Sequence, residues 1–105
     1  MSLTDGLANT NQLLADAQRL NPAAAYCFHM SLHGQTDWYL PARDELNVLY
    51  VNRTAIGGLA ANWYWSSSES SINNAWLQLF AGGSQAVQGK TFNTLYRLRC
   101  VRRVN

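Results

Sequence analysis

Two observations predict an α+β domain with helices packed on a small twisted antiparallel sheet. Apolar residues recur at helical spacing through the first half of the chain, and from Trp63 onward the spacing changes to alternation. A third, the length of 105 residues, allows one hydrophobic core and no second, so residues 1–105 are read as a single domain. Residues 1–4 are read as an added leader or a disordered start.

Leu13, Ala17 and Leu20, with Leu14 beside them, form the first helical stripe, and Asn9, Thr10 and Asn11 offer N-cap oxygens just upstream. Asn21-Pro22 restarts the helix, with Asn as cap and Pro at the first helical position, where its missing N–H costs nothing. The run from Ala23 to Leu32 carries Tyr26, Cys27 and Met30 on one side, and Gly34 is the expected stop. Trp38-Tyr39-Leu40 is a short apolar segment ending at Pro41. The next helix places Asp44 and Glu45 in its first turn, where carboxylates complement the helix dipole, and Leu46, Leu49 and Tyr50 on its apolar stripe. Gly57-Gly58 ends it.

In the second half, Trp63-Tyr64-Trp65 and Ala75 to Phe80 read as strands, and Ser66 to Ser71 as a polar loop broken only by Glu69. Gly82-Gly83 is a hairpin signal, followed by a short strand with a loop between Ala86 and Phe92. Leu95 to Val104 is the clearest alternation, with Tyr96, Leu98 and Cys100 on one face and Arg97, Arg99 and Arg103 on the other.

Composition excludes several function classes. Hydrophobic residues at 48% against charged residues at 13% rule out a disordered chain. A net charge of +2 provides no long-range field for nucleic acid, and no apolar run is long enough for membrane insertion. The two cysteines are far apart and form no CxxC pair, which excludes a zinc ribbon or a thioredoxin-type motif.

Three segments in order carry a resemblance. They are Asp37-Trp38-Tyr39-Leu40-Pro41-Ala42-Arg43-Asp44-Glu45-Leu46, then Tyr64-Trp65-Ser66-Ser67-Ser68-Glu69 with Asn74-Ala75-Trp76, and Tyr96-Arg97-Leu98-Arg99-Cys100-Val101-Arg102. Together they resemble the Lcl C-terminal-like domains of bacteria and phages, from about Asp5 to the end of the chain. That family usually has Thr where Ala42 stands, which removes one helix cap here. The resemblance implies a C-type-lectin-like fold, a superfold shared with retroelement-diversified phage receptor-binding proteins and with formylglycine-generating enzymes. It also implies that Cys27 on the first helices lies near Cys100 on the last strand, with Cα atoms within about 7 Å. A bridge would close a loop of about 70 residues, and two packed free thiols are the alternative.

Candidate chemistry is thin. His29 and His33 share the spacing of a zinc helix but lack the Glu that would follow the first of them, Met30 standing there instead. Calcium-dependent sugar binding needs several oxygen ligands, and the loop region offers Glu69 alone. No base adjoins the serine run, Asp44 and Glu45 do not face each other as helix neighbours, and both cysteines read as structural. No catalytic residue, metal or cofactor is therefore expected. The arginines near the C-terminus read as a solvated face paired with carboxylates, with Glu45 expected to bond Arg97, Arg99 or Arg102, Arg99 foremost.

The expected function is a non-catalytic binding module, recognising a protein or glycan receptor on a cell surface for a phage, prophage or bacterial surface protein. Its location would be on a virion or outside the cell. A structural or oligomerisation domain forming a homo-oligomer is the second reading, and an enzyme on the formylglycine-generating scaffold the third. By resemblance the ligand surface runs from Ser70 to about Thr94. With Trp65, Trp76 and Phe80 in the core, Leu77 and Leu79 would face outward beside Ser70, Ser71, Asn73, Gln85, Val87 and Gln88, a polar and adaptable set.

Overall fold

The computed structural model describes residues 2–15, 21–31, 34–90 and 96–102. In chain order these form α1 (Gly6–Ala15), α2 (Pro22–His29), α3 (Arg43–Val51), α4 (Arg53–Ile56), β1 (Trp63–Ser71), β2 (Asn74–Leu79) and β3 (Gln85–Gly89). The fold is α+β, with an antiparallel sheet in the order β1-β2-β3. Ala17, Leu20, Leu32, His33, Phe92, Thr94, Leu95, Arg103 and Val104 lie outside the described residues.

Capping explains where the first helices begin. The side chain of Asp5 accepts from the Ala8 N–H at 3.0 Å, so α1 starts before Asn9 and Thr10, which are buried inside it rather than capping it. Their polar heads are used across the core. Asn9 Nδ2 donates to Ser2 O at 2.7 Å, and Thr10 Oγ1 accepts from the Leu40 N–H at 3.1 Å. Asn21 caps α2 as expected, accepting from the Ala24 N–H at 3.0 Å. That helix stops at His29, because Met30 is already extended.

The sheet is covered on both faces. Trp65 stands opposite Leu77 and Trp63 opposite Leu79, while Tyr64 stands opposite Gln78. On the first face Trp65, Ala75 and Leu77 pack with Leu13, Ala23, Ala24, Cys27, Leu40 and Cys100, beneath α1 and α2. On the second face Tyr64 and Phe80 pack with Leu46, Leu49 and Tyr50 of α3. This arrangement corrects the expectation of an outward Leu77. Its exposure is 2%, Leu79 beside it is half-buried, and Trp76 on the second face is half-buried beneath the Arg43 guanidinium, 5.0 Å from the ring centroid. Choosing one core face assumes that the other meets water. Here alternate residues enter different cores, so Trp65 and Phe80 are both buried on opposite sides.

Ser66 to Ser68 are not a loop. They continue β1, with a register shift between Trp65 and Glu69, and are fully buried. Small side chains let the starts of α1 and α3 approach the strand, and each hydroxyl is bonded, as burial demands. Ser66 Oγ donates to Trp76 O at 2.8 Å, Ser67 Oγ accepts weakly from Asn9 Nδ2 at 3.4 Å, and Ser68 Oγ donates to Ser2 O at 2.8 Å.

The start of α3 shows what replaces the cap that Ala42 lacks. The Arg43 N–H donates to Ser68 Oγ at 2.9 Å, and the Asp44 N–H to Leu3 O at 2.9 Å. Two of the helix's orphan donors are thus satisfied from distant parts of the chain. Residues 2–4 are therefore hydrogen-bonded into the fold. Glu45 reaches back to accept from the Ala42 N–H at 3.0 Å and the Gly6 N–H at 2.7 Å, and its second oxygen accepts from Tyr39 OH at 3.0 Å. This corrects the expected Glu45–Arg99 pair: three nearer donors occupy the carboxylate, and Arg99 is exposed. Gly6 is required by the close approach, since a Cβ there would lie 2.5 Å from Leu40 O and 2.6 Å from Ala42 N.

Residues 96–102 alternate in burial as expected but form no strand of the sheet. The Arg97 N–H donates to Trp63 O and Arg97 O accepts from the Trp65 N–H, both at 2.9 Å, while Tyr39 and Val101 exchange two bonds of the same length. The segment is an extended strap along the free side of β1. Its inward residue Cys100 is joined to Cys27 of α2 by a disulfide.

Candidate ligand groove

A groove of about 750 Å³ opens between α2 and the strap. Tyr26, Met30, Trp38, Tyr96 and Leu98 line its apolar part, Arg97 and Arg99 its charged rim, and Cys100 its base. The disulfide sets this arrangement. It fixes the residue after Tyr26 to the residue after Arg99, which holds a helix-borne ring against an extended strand of alternating rings and guanidiniums.

The rings differ in how firmly they are held. Tyr96 lies 5.7 Å from Trp65, edge to face, and 6.4 Å from Trp63, so it is anchored in the core beneath. Tyr26 is 61% exposed and stands free on α2. Trp38 donates its indole N–H to Gln35 O at 3.1 Å and carries the Arg102 guanidinium 6.0 Å from its centroid. Arg102 also bonds Asp37 Oδ1 at 2.5 Å and Gln35 Oε1 at 3.0 Å. The hydrogen bond from Arg102 holds the Asp37 carboxyl below its ordinary range and raises the Arg102 guanidinium in turn. Arg97 and Arg99 pair with no described carboxylate, because Glu45 is occupied and Glu69 bonds the buried Lys90. The rim thus holds two exposed, uncompensated cations beside aromatic faces.

The predicted ligand residues do not form such a surface. Ser70, Ser71 and Asn73 are exposed about the β1–β2 turn, with half-buried Gln88 near that end on the face of Ala75. Gln85 and Leu79 lie toward the β2–β3 turn, Val87 stands opposite Trp76 on the second face, and Leu77 is in the core. The set spans both faces and the length of β2, about 17 Å.

The family model described as the Lcl C-terminal domain matches residues 4–102. The chain belongs to that family. No curated protein matches it. In this Lcl C-terminal domain the matched residues include the strap, the disulfide and every side chain that lines the groove. Tyr26, Trp38, Tyr96, Arg97 and Arg99 were each visible in the sequence but not assembled there. The signal that could have joined them is the expected nearness of Cys27 and Cys100, which forces their neighbours together. Among the described residues no three His, Cys, Asp or Glu side chains converge on a metal position. The groove offers stacking surfaces and anion-pairing groups.

Proposed function

We propose that this domain is a non-catalytic recognition module of a phage, prophage or bacterial surface protein, and that it holds its ligand in the groove between α2 and the strap. The observation that carries the reading is the convergence of Tyr26, Trp38 and Tyr96 on one groove with the guanidiniums of Arg97 and Arg99, which pair with no described carboxylate, over a cross-linked base. Such a site favours a receptor with flat apolar faces and an anionic group, since guanidinium pairs well with carboxylate or sulfate and an aromatic face covers a sugar or side-chain ring. A preformed wall also avoids much of the ordering cost of binding.

The test is a binding screen against glycans and bacterial surfaces, repeated with Tyr26→Ala and with Arg97→Ala/Arg99→Ala. Loss of about tenfold or more in affinity in both variants, with folding unchanged, is the expected result. Binding that survives both variants would move the site elsewhere.

A further inference from the structure

The two edges of the sheet are treated differently. The outer side of β1 is covered by the strap through Arg97. The outer side of β3 is bare among the described residues. The Leu79 N–H donates to Ser84 O and the Lys90 N–H to Asn73 O, so in this register Ser84, Ala86, Gln88 and Lys90 bond inward to β2. Gln85, Val87 and Gly89 consequently turn their N–H and C=O groups outward, where they meet no hydrogen-bond partner among the described residues.

Exposed edges are normally blunted by Lys, Pro, a bulge or a covering segment. The strand Gln85-Ala86-Val87-Gln88-Gly89 has no charge and no proline, and it pairs with β2 in unbroken register. Its pattern is also self-complementary. Centred on Val87, an antiparallel copy would place Val87 opposite Val87 and Gln85 opposite Gly89, so that each outward group meets an outward group. Ala86 would lie beside Gln88 on the other face. No like charges meet, and glycine leaves room for the glutamine.

We infer that two copies of this domain pair through β3 about a two-fold axis at Val87, joining their sheets into one. About six backbone hydrogen bonds would form, two at each outward residue pair. The interface is isologous and closes on itself, so it gives a dimer and not a fibre. A foreign extended peptide has the same backbone to offer, but a second copy supplies the centred, uncharged register without further assumption. The small area of a five-residue edge implies a weak dimer, seen at high protein concentration or when the domain is held close to its twin.

Cross-linking reads the register directly. In the proposed pairing the Val87 Cα atoms lie about 5.5 Å apart, within disulfide reach, whereas Gln85 lies about 14 Å from its counterpart. Under mild oxidation Val87→Cys is expected to give a covalent dimer of twice the 11.7 kDa chain mass, and Gln85→Cys to remain monomeric. Equal cross-linking of both variants, or of neither, overturns the register. Sedimentation equilibrium of the unmodified chain should show reversible association that Val87→Pro weakens about tenfold or more, because proline removes an outward N–H that the fold does not use. A chain that stays monomeric up to millimolar concentration overturns the proposal. So does protection of the Gln85, Val87 and Gly89 amides that appears only when a foreign extended peptide is added.

Discussion

Cys27 and Cys100 are bonded with their Cα atoms 5.4 Å apart, and this link ties the second helix to the strap that forms the groove's other wall. Among the described residues the strap is otherwise held by two backbone bonds at Arg97, two at Val101, the bonds of Arg102 to Asp37 and Gln35, and the packing of Tyr96 on Trp63 and Trp65. With the cysteines 73 positions apart in sequence, the chain-entropy contribution is about 4 kcal/mol. Replacing both cysteines by Ser should lower the unfolding free energy in urea by an amount of that order. It should also weaken ligand binding even where the domain stays folded, because the strap would separate from α2. Binding unaffected by the replacement would show that the groove wall does not depend on the bond.

Leu77 is a core residue, and its substitution should behave as one. Leu77→Ala removes a side chain of 2% exposure from the cluster with Trp65 and Cys27, and should cost about 2–5 kcal/mol. Leu79→Ala, at a half-buried position, should cost less than half as much. Urea denaturation of the two variants measures the difference, and equal losses would contradict the assigned burial.

The α+β class, the Asn21 cap, the third helix and the Gly82-Gly83 hairpin were legible because each rests on local chemistry. Asn21 needs only its neighbour Ala24, and Gly83 needs only a positive φ, here 86°. The serine run was misread because serine in isolation favours turns, and its burial depends on Asn9, Ser2 and Arg43 approaching from other elements. Leu77 was misread for a related reason. A strand's alternation defines two faces but does not tell how many of them are covered. The groove depends instead on one long-range fact, the Cys27–Cys100 contact, applied to the neighbouring residues.

Asp37 should titrate below the ordinary range for a carboxyl because of its bond to Arg102. Since its folded value lies beneath its unfolded value, the pair favours the folded state above the unfolded pKa. The contribution disappears as pH falls through the lower, folded value. Both groups are partly exposed, so the effect on stability is small and screened by salt. An NMR titration of the Asp37 side chain checks the direction, and Arg102→Gln should return the midpoint toward the ordinary value near 3.8. A midpoint unmoved by that change would mean that Arg102 is not the cause.

Glu69 and Lys90 form an ion pair whose side chains are only 4% and 3% exposed, at the end of the sheet where Lys90 also bonds Asn73 through its backbone. Removing water from both charges is expensive, and their mutual attraction offsets that cost only while both remain. Lys90→Met should therefore destabilise the fold by about 3–5 kcal/mol, because it leaves a buried carboxylate without its cation. Glu69→Leu alone should also be destabilising, through the stranded ammonium. Combining Lys90→Met with Glu69→Leu removes both charges and should recover most of the loss, since an apolar pair of similar volume has no desolvation cost to meet. The three variants, measured by urea unfolding at one pH and salt concentration, form a cycle with a definite sign. If the double replacement is as unstable as the sum of the single ones, the two side chains act independently and the pair is not what holds this end of the sheet.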